Sequence, residues 1–252
     1  MSDLNWMSDE QMAKLAPFFP KSHGKPRVDD RRVLSGIIFF NRNGLRWRDA
    51  PRAYGRHITL YSRWKRWSEK GIFARMMAGL AAEHGEKGAV MIDATYLKAH
   101  RTATSMAAKK GGGGRLIGRT KGGMNTKLHA ICDSKGRPLN LFVTAGQVSD
   151  YIGARALLSS IPNVDWLLGD RGYDADCFRD AFKFKAIRAC TPGRKQRNTP
   201  VKWDKRRYKR RNRIEIMFGR LKDWRRMATR DKRYPKVFLS AIALATTVIY
   251  WL

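Results

Sequence analysis

Two short apolar runs, each closed by an aspartate, constrain this chain more than any other feature of it. Ala89-Val90-Met91-Ile92 stops at Asp93, and Val164 to Gly169 stops at Asp170. Runs of that length between turn signals read as buried strands. Between them, Thr126 to Asp133, the turn Ser134-Lys135-Gly136 and Arg137 to Thr144 read as a hairpin, followed by a helix from about Tyr151 to Ser160. After Asp170 come another helix, a short strand near Ala186 to Cys190, a basic loop and two long helices. Strands first paired as a hairpin and then alternating with helices imply an α/β fold, a mixed sheet with flanking helices. Each Asp then has two readings. It caps the turn or helix that follows, or, if the two strands are parallel neighbours, both carboxylates open into the crevice where open α/β sheets bind ligands.

Residues 1 to about 85 read differently, as helices. Ser8-Asp9-Glu10 opens a short helix ended by Pro17 and Pro20, and Asp29-Asp30 opens a second with Val33, Leu34, Ile37 and Ile38 on one face. Thr59 is placed to cap a third, in which Leu60, Trp64 and Trp67 recur as a core stripe and Tyr61, Ser62, Lys65 and Arg66 point outward. That outward face is either an ordinary solvated surface or one suited to a DNA groove. The stretch from Asn41 to Arg56 is too long for a strict helix-turn-helix turn. Gly85-Glu86-Lys87-Gly88 is the expected hinge, which divides the chain into a helical DNA-binding domain, 1–85, and an α/β domain, 86–252.

Charge narrows the partners. The chain carries 52 Lys plus Arg against 21 Asp plus Glu, a formal net charge of +31 over 252 residues. Such a surplus repels itself in a compact fold, and nucleic acid or an anionic surface is the usual compensation. With 43% hydrophobic residues the chain is no disordered basic tail. Cys132, Cys177 and Cys190 have neither disulfide-framework nor zinc-finger spacing. The start shows no signal peptide, and the longest apolar run, Val237 to Leu252, is shorter than the roughly 20 residues that span a bilayer. The expectation is a buried terminal helix in a cytoplasmic protein. The basic, glycine-rich segment from Lys109 to Gly123 nearly matches a phosphate-binding loop, but Arg119 replaces the lysine and no strand directly precedes it. It reads as a flexible linker or a backbone-touching basic loop.

The third informative acid is Glu215, the only carboxylate between Asp204 and Asp223 and surrounded by Lys and Arg. At about 100° per residue, Tyr208, Arg211, Glu215 and Lys222 fall on one helical stripe, bordered by Ile214, Met217, Phe218 and Leu221. Such a helix packs on a sheet while aiming a carboxylate, a guanidinium and an ammonium at one cleft. It is equally a salt-bridged helix in which Glu215 pairs with Arg211.

Tyr208-x-x-Arg211-x-x-x-Glu215, six residues, then Lys222 resembles the signature around the third acid of DDE transposases of bacterial insertion sequences. Ile92-Asp93-Ala94-Thr95 and Gly169-Asp170-Arg171-Gly172-Tyr173-Asp174 resemble the first and second acidic motifs of the insertion-sequence-five group. The segment Gly118-Arg119 to Thr126-Lys127-x-His129-Ala130 is similar to that group too, as is Trp47-Arg48-Asp49. Ala94, where Ser is frequent, and the run Gly111 to Gly114 depart from the pattern.

The resemblance implies a ribonuclease-H-like catalytic domain in which Asp93, Asp170 and Glu215 are the catalytic residues and hold two Mg2+ ions, with Mn2+ as a substitute. The implied reaction is hydrolysis at the element's ends, then attack of the freed 3′-hydroxyl on target DNA. Double-stranded DNA is the implied partner, bound by a homo-oligomer in the bacterial nucleoid. Arg211 is expected to steady the scissile phosphate, Lys222 a neighbouring one, and Tyr208 the terminal nucleotide, with Arg171 and His100 as secondary DNA contacts and Lys65 and Arg66 on the end-binding helix. Asp174 is expected to cap the next helix. The competing readings are a DNA-binding protein without catalysis, which three intact acids oppose, and a membrane-associated basic protein, resting only on the C-terminal apolar run.

Overall fold

The structure, a computed structural model, describes residues 4–21, 28–84, 88–105 and 114–252. The hinge expected at 85–88 and the lysine and glycine run at 109–113 therefore lie mostly or wholly outside the described residues.

Four helices come first: α1 (Asp9–Leu15), α2 (Asp30–Asn43), α3 (His57–Glu69) and α4 (Ile72–Ala82). Ser8 and Gln11 form a reciprocal capping box that starts α1. Asp29 caps α2 by accepting from the Arg31 N–H, and Gly44, at φ 70°, closes it in the left-handed conformation that costs glycine least. Thr59 does not cap α3. The helix starts two residues earlier, because the Thr59 N–H already donates to the Arg56 carbonyl at 2.9 Å. Leu60, Trp64 and Trp67 are buried as their spacing implies, and Trp67 packs on Phe19 and Phe73.

The sheet follows, with β1 (Ala89–Ala99), α5 (Arg101–Thr104), β2 (Gly118–Thr120), β3 (Gly123–Cys132), β4 (Pro138–Ala145), α6 (Asp150–Arg155), β5 (Trp166–Leu168), α7 (Asp176–Phe184) and β6 (Arg188–Cys190). The remaining elements are α8 (Lys205–Tyr208), α9 (Asn212–Lys222), α10 (Arg225–Ala228), β7 (Thr229–Arg230) and α11 (Pro235–Tyr250). The main strand order is β4-β3-β1-β5-β6. β3 is antiparallel to both β4 and β1, whereas β5 is parallel to β1 and β6 to β5. That order and those directions are the ribonuclease-H-like arrangement. β2 pairs with the start of β3 across a tight turn at Lys121-Gly122, with Gly123 at φ 92° opening β3, so Gly118 to Asn125 is a hairpin reaching into the stretch where a linker or loop was expected.

β1 differs from its sequence reading in length. It runs on past Asp93 to Ala99, held along one edge by β3 from Met91 to Lys98. Along the other edge it meets β5 only at Ala89–Met91 and β7 only at Lys98–Ala99. Between them, Ile92 to Leu97 has no strand partner on that side among the described residues. The sheet is therefore split open beside Asp93.

Each face has its own core. On one, Val90, Ile92, Ile131 and Leu167 pack against Tyr173, Phe178 and Phe182. On the other, Met91, Leu97, Leu128 and Ala130 join the apolar stripes of α9 and α11, and this core continues without a break into Leu34, Trp64, Phe73 and Met76 of the N-terminal helices. Each fully buried side chain of this size contributes about 1.5–3 kcal/mol. The expected boundary at 85 therefore does not divide the core. As anticipated, α11 is buried, and among the described residues no helix is long and apolar enough to cross a membrane.

Candidate active site

Asp93 and Asp170 come together by register. The last rung of the parallel ladder pairs Met91 with Leu168, so each acid stands two residues beyond it on its own chain. Gly169 makes the approach possible: a Cβ there would sit 3.2 Å from Ile92 Cγ2 and 3.2 Å from Tyr173 Cδ2. Asp170 caps the turn that follows it and stands beside Asp93. Its carboxylate accepts from the Gly172 N–H at 2.8 Å, capping the turn Arg171–Tyr173, and it lies close enough to raise the pKa of Asp93. Burial is the larger cause of that rise, which takes the Asp93 carboxyl to about 6. Arg211 and the Ala94 N–H, at 2.6 and 2.9 Å, act against it.

The segment carrying Glu215 is not one continuous helix. α8 ends at Tyr208, a 3-10 turn spans Lys209–Arg211, and α9 begins at Asn212. The i, i+4 pairing of Arg211 with Glu215 survives the irregularity. Ile214, Met217, Phe218 and Leu221 bury α9 against the sheet, leaving the Glu215 side chain 52% exposed at the rim. Arg211 donates from one Nη to Asp93 and from the other to Glu215, so one guanidinium stands between two of the three acids. Lys222 donates to Thr95 Oγ1 at 2.7 Å, two residues along β1 from Asp93, and burial lowers its pKa. Tyr208 stands edge-on to Trp203, ring centroids 4.9 Å apart, with the Arg211 guanidinium 5.7 Å from its ring. Arg211, Glu215 and Lys222 are thus brought to β1, with Tyr208 beside them.

Three carboxylates supply the hard oxygen donors that Mg2+ and Mn2+ prefer. Among the described residues, no three His, Cys, Asp or Glu side chains converge on one point. The cation bridging Asp93 and Glu215 here is the guanidinium. The donors therefore fit divalent ions in kind, while the Arg211 guanidinium stands between Asp93 and Glu215.

The other predicted contacts are Arg171, His100, Lys65 and Arg66. Arg171 is exposed at the turn after Asp170, and its carbonyl accepts from Arg194. His100 caps α5, its ring accepting from the Thr102 N–H, about 23 Å of extended strand beyond Asp93. Lys65 and Arg66 are exposed on α3, where Lys65 approaches Glu69 at 3.9 Å. Asp174 does not cap α7. Its buried carboxylate is held by Arg179 at 2.6 Å, Arg197 at 3.1 Å and the Arg194 N–H at 2.7 Å, while Ala175 occupies the cap position.

A fourth carboxylate escaped the sequence reading. Asp150, the first residue of α6, accepts from Lys127 Nζ at 2.7 Å. Lys127 is buried, with its ammonium 4.8 Å from the Tyr96 ring. An Asp at a helix start after a hairpin signals a cap, and nothing local betrays a buried lysine opposite it.

Residues 7–77 match the family described as transposase of IS4/5 family, and residues 84–251 match the transposase DDE domain. The chain is 36% identical over 130 residues to a transposase for insertion sequence element IS6501 of Brucella ovis, covering 50% of this chain and 98% of that protein. It is 34% identical over 113 residues to an uncharacterized protein of Sinorhizobium fredii, covering 44% of this chain and 90% of that one. A 16.2 kDa protein of insertion element IS402 from Burkholderia cepacia is 30% identical over 123 residues, 45% of this chain and 80% of its own. A solved pre-cleavage Mos1 transpososome overlaps with a TM-score of 0.27 at 12% identity, covering 83% of this chain and 81% of that one, a likeness too low to add to the strand order itself. With the transposase DDE domain matched over two thirds of the chain and Asp93 and Asp170 side by side at the split in the sheet, this chain belongs to the DDE transposases of the IS4/5 family, enzymes that act on DNA phosphodiester bonds.

Proposed function

We propose that Asp93, Asp170 and Glu215 are the catalytic residues of a transposase that cuts the ends of its own insertion sequence and joins the freed 3′-hydroxyl to target DNA. The observation that carries this reading is the side-by-side placement of Asp93 and Asp170 at the split in the sheet, with Arg211 bridging Asp93 to Glu215. The three acids would hold two Mg2+ ions, or Mn2+ in their place, and such ions would supply activation of the attacking oxygen and stabilisation of the leaving one. The protein's own part is positional. Arg211, already at the acids, steadies the scissile phosphate, Lys222 holds a neighbouring phosphate, and Tyr208 meets the terminal nucleotide. Arg171 and His100 extend the basic surface along the DNA. The N-terminal helices read the element's end with the exposed α3 face that carries Lys65 and Arg66, in a homo-oligomer bound to DNA in the bacterial cytoplasm.

Asp93→Asn, Asp170→Asn and Glu215→Gln keep side-chain shape and remove the anionic oxygens a hard cation requires. Each is expected to abolish Mg2+-dependent cleavage of an end-containing duplex while end binding survives. Asp93→Cys or Asp170→Cys is expected to recover part of the cleavage in Mn2+ but not in Mg2+, because manganese accepts a thiolate more readily. Full Mg2+-dependent cleavage by an amide variant would remove that residue from the site. Binding without cleavage by the unaltered chain, in either metal, would favour the non-catalytic DNA-binding reading.

A further inference from the structure

The turn that carries Asp170 rests on α6. A Cβ built on Gly172 would stand 2.9 Å from Asp170 Oδ1 and 3.1 Å from Asp150 Oδ2, so the two carboxylate oxygens lie at most about 6 Å apart with only a glycine between them. Two negative groups this close, one on β5's exit and one on α6, need something to fix their separation. On the Asp150 side that is Lys127, which spends its ammonium on Asp150 Oδ1 at 2.7 Å and the Val148 carbonyl at 2.6 Å. Its side chain is 5% exposed, while Asp150 is 33% exposed, so the lysine is sheltered from water and the carboxylate only in part. Lys127 sits on β3 in register with Tyr96 of β1, three residues from Asp93. The pair thus ties the end of α6 to the strand beside the first acid. On the Asp170 side, the backbone N–H of Gly172 itself holds the carboxylate at 2.8 Å. α6 is seated against the sheet by an equally close contact, since a Cβ on Gly153 would meet the His129 ring at 2.2 Å.

We infer that Asp150, anchored by Lys127, is a positioning residue that sets the orientation of the Asp170 carboxylate through the Gly172 turn. In this inference Asp150 does not itself hold a metal ion: one of its oxygens is committed to a lysine, and it meets the Asp170 turn from α6, which packs on His129, while Glu215 is carried by α9. This rests on the assignment of Asp170 as a metal-holding residue.

The test is Mn2+ binding by the full chain, followed by the loss of the free-ion paramagnetic resonance signal, for the unaltered protein, Asp170→Asn, Asp150→Asn and the double variant. Asp150→Asn is expected to weaken Mn2+ binding by about 10-fold, the usual effect of removing an outer partner of a ligand. In the Asp170→Asn background the same change is expected to add nothing, because the residue through which it acts is already gone. Gly172→Ala keeps every ion pair and drives a methyl between the two carboxylates, and it is expected to weaken binding in the same direction, which guards against misfolding of Asp150→Asn. Unchanged Mn2+ affinity in Asp150→Asn and Gly172→Ala overturns the inference. Additive losses in the double variant also overturn it, by making Asp150 an independent ligand. An Asp170→Asn protein that binds Mn2+ as the unaltered chain does removes the metal assignment of Asp170, and the inference falls with it.

Discussion

Arg211 holds two acids on different elements, and the two contacts are unequal. Toward Asp93 both side chains are nearly buried, 15% and 14% exposed, whereas Glu215 is 52% exposed and its pairing is screened by water. Removing the guanidinium leaves the Asp93 carboxylate without its main compensation, at a cost of about 1–3 kcal/mol. The pH dependence has a definite sign. The Asp93 carboxyl is raised from 3.8 to about 6 in the folded chain, so its contribution to stability is full below pH 4 and lost as the pH rises through 6. Arg211→Ala pushes the carboxyl further up and makes that loss larger. Urea denaturation is therefore expected to show the variant destabilised clearly at pH 7 and little at pH 4, and equal destabilisation at both would contradict the pairing. Arg211→Lys is expected to fall between, since an ammonium cannot span two carboxylates as a planar fork does.

At the level of elements, close approach matters as much as pattern. A Cβ on Gly36 of α2 would lie 2.7 Å from Tyr54 Cβ and 3.1 Å from both Leu60 methyls, all parts of the rigid N-terminal core. Gly36→Ala is expected to lower stability by about 1–3 kcal/mol through overpacking, although alanine is the better helix former. A thermal melt at or above that of the unaltered chain would refute it. Gly36 also shows where sequence reading stops. The stripes Val33, Leu34, Ile37, Ile38 and Leu60, Trp64, Trp67 were legible because periodicity reports which face is buried. Periodicity cannot say which backbone meets that face. β1 was read as ending at Asp93 because the apolar run ends there, yet Thr95, Tyr96 and Leu97 are good strand residues held in place by β3, a partner about thirty positions away. The three acids were visible as isolated carboxylates in a basic chain and as motifs. Lys127 was visible within a motif, but its pairing with Asp150 was not, since that relation is made only by α6 folding back over β3.

Across the whole molecule, the N-terminal helices and the sheet depend on each other. α4 packs on α11 and β4, Arg226 donates to the Leu45 carbonyl, and Lys236 donates to the Glu69 carbonyl at 2.6 Å. A fragment ending at residue 85 would expose Phe73, Met76 and Leu80 to water, and it is expected to show no cooperative melt by circular dichroism. A sharp transition in that fragment would show that the helices stand alone. Lys232 reports on the same junction. It lies 4.9 Å from the Phe40 ring and 6.0 Å from the Trp47 ring, and burial, assisted by Arg226, lowers its pKa to about 7. Between about 7 and 10.5 the unfolded chain binds the proton that the folded chain has lost, so this residue makes stability rise with pH over that window. Lys232→Met is expected to melt higher than the unaltered chain at pH 7, with the difference narrowing by pH 9, and a difference independent of pH would place the titration elsewhere. The shared core also bears on how damaged copies of the coding sequence behave. A reading frame broken before Pro235 yields a product without α11, and with it goes the surface on which the N-terminal helices, proposed to read the element's end, are packed. On that proposal such a product is expected neither to occupy the ends nor to block an intact sister protein, so truncated copies are expected to be recessive in the cell rather than dominant inhibitors.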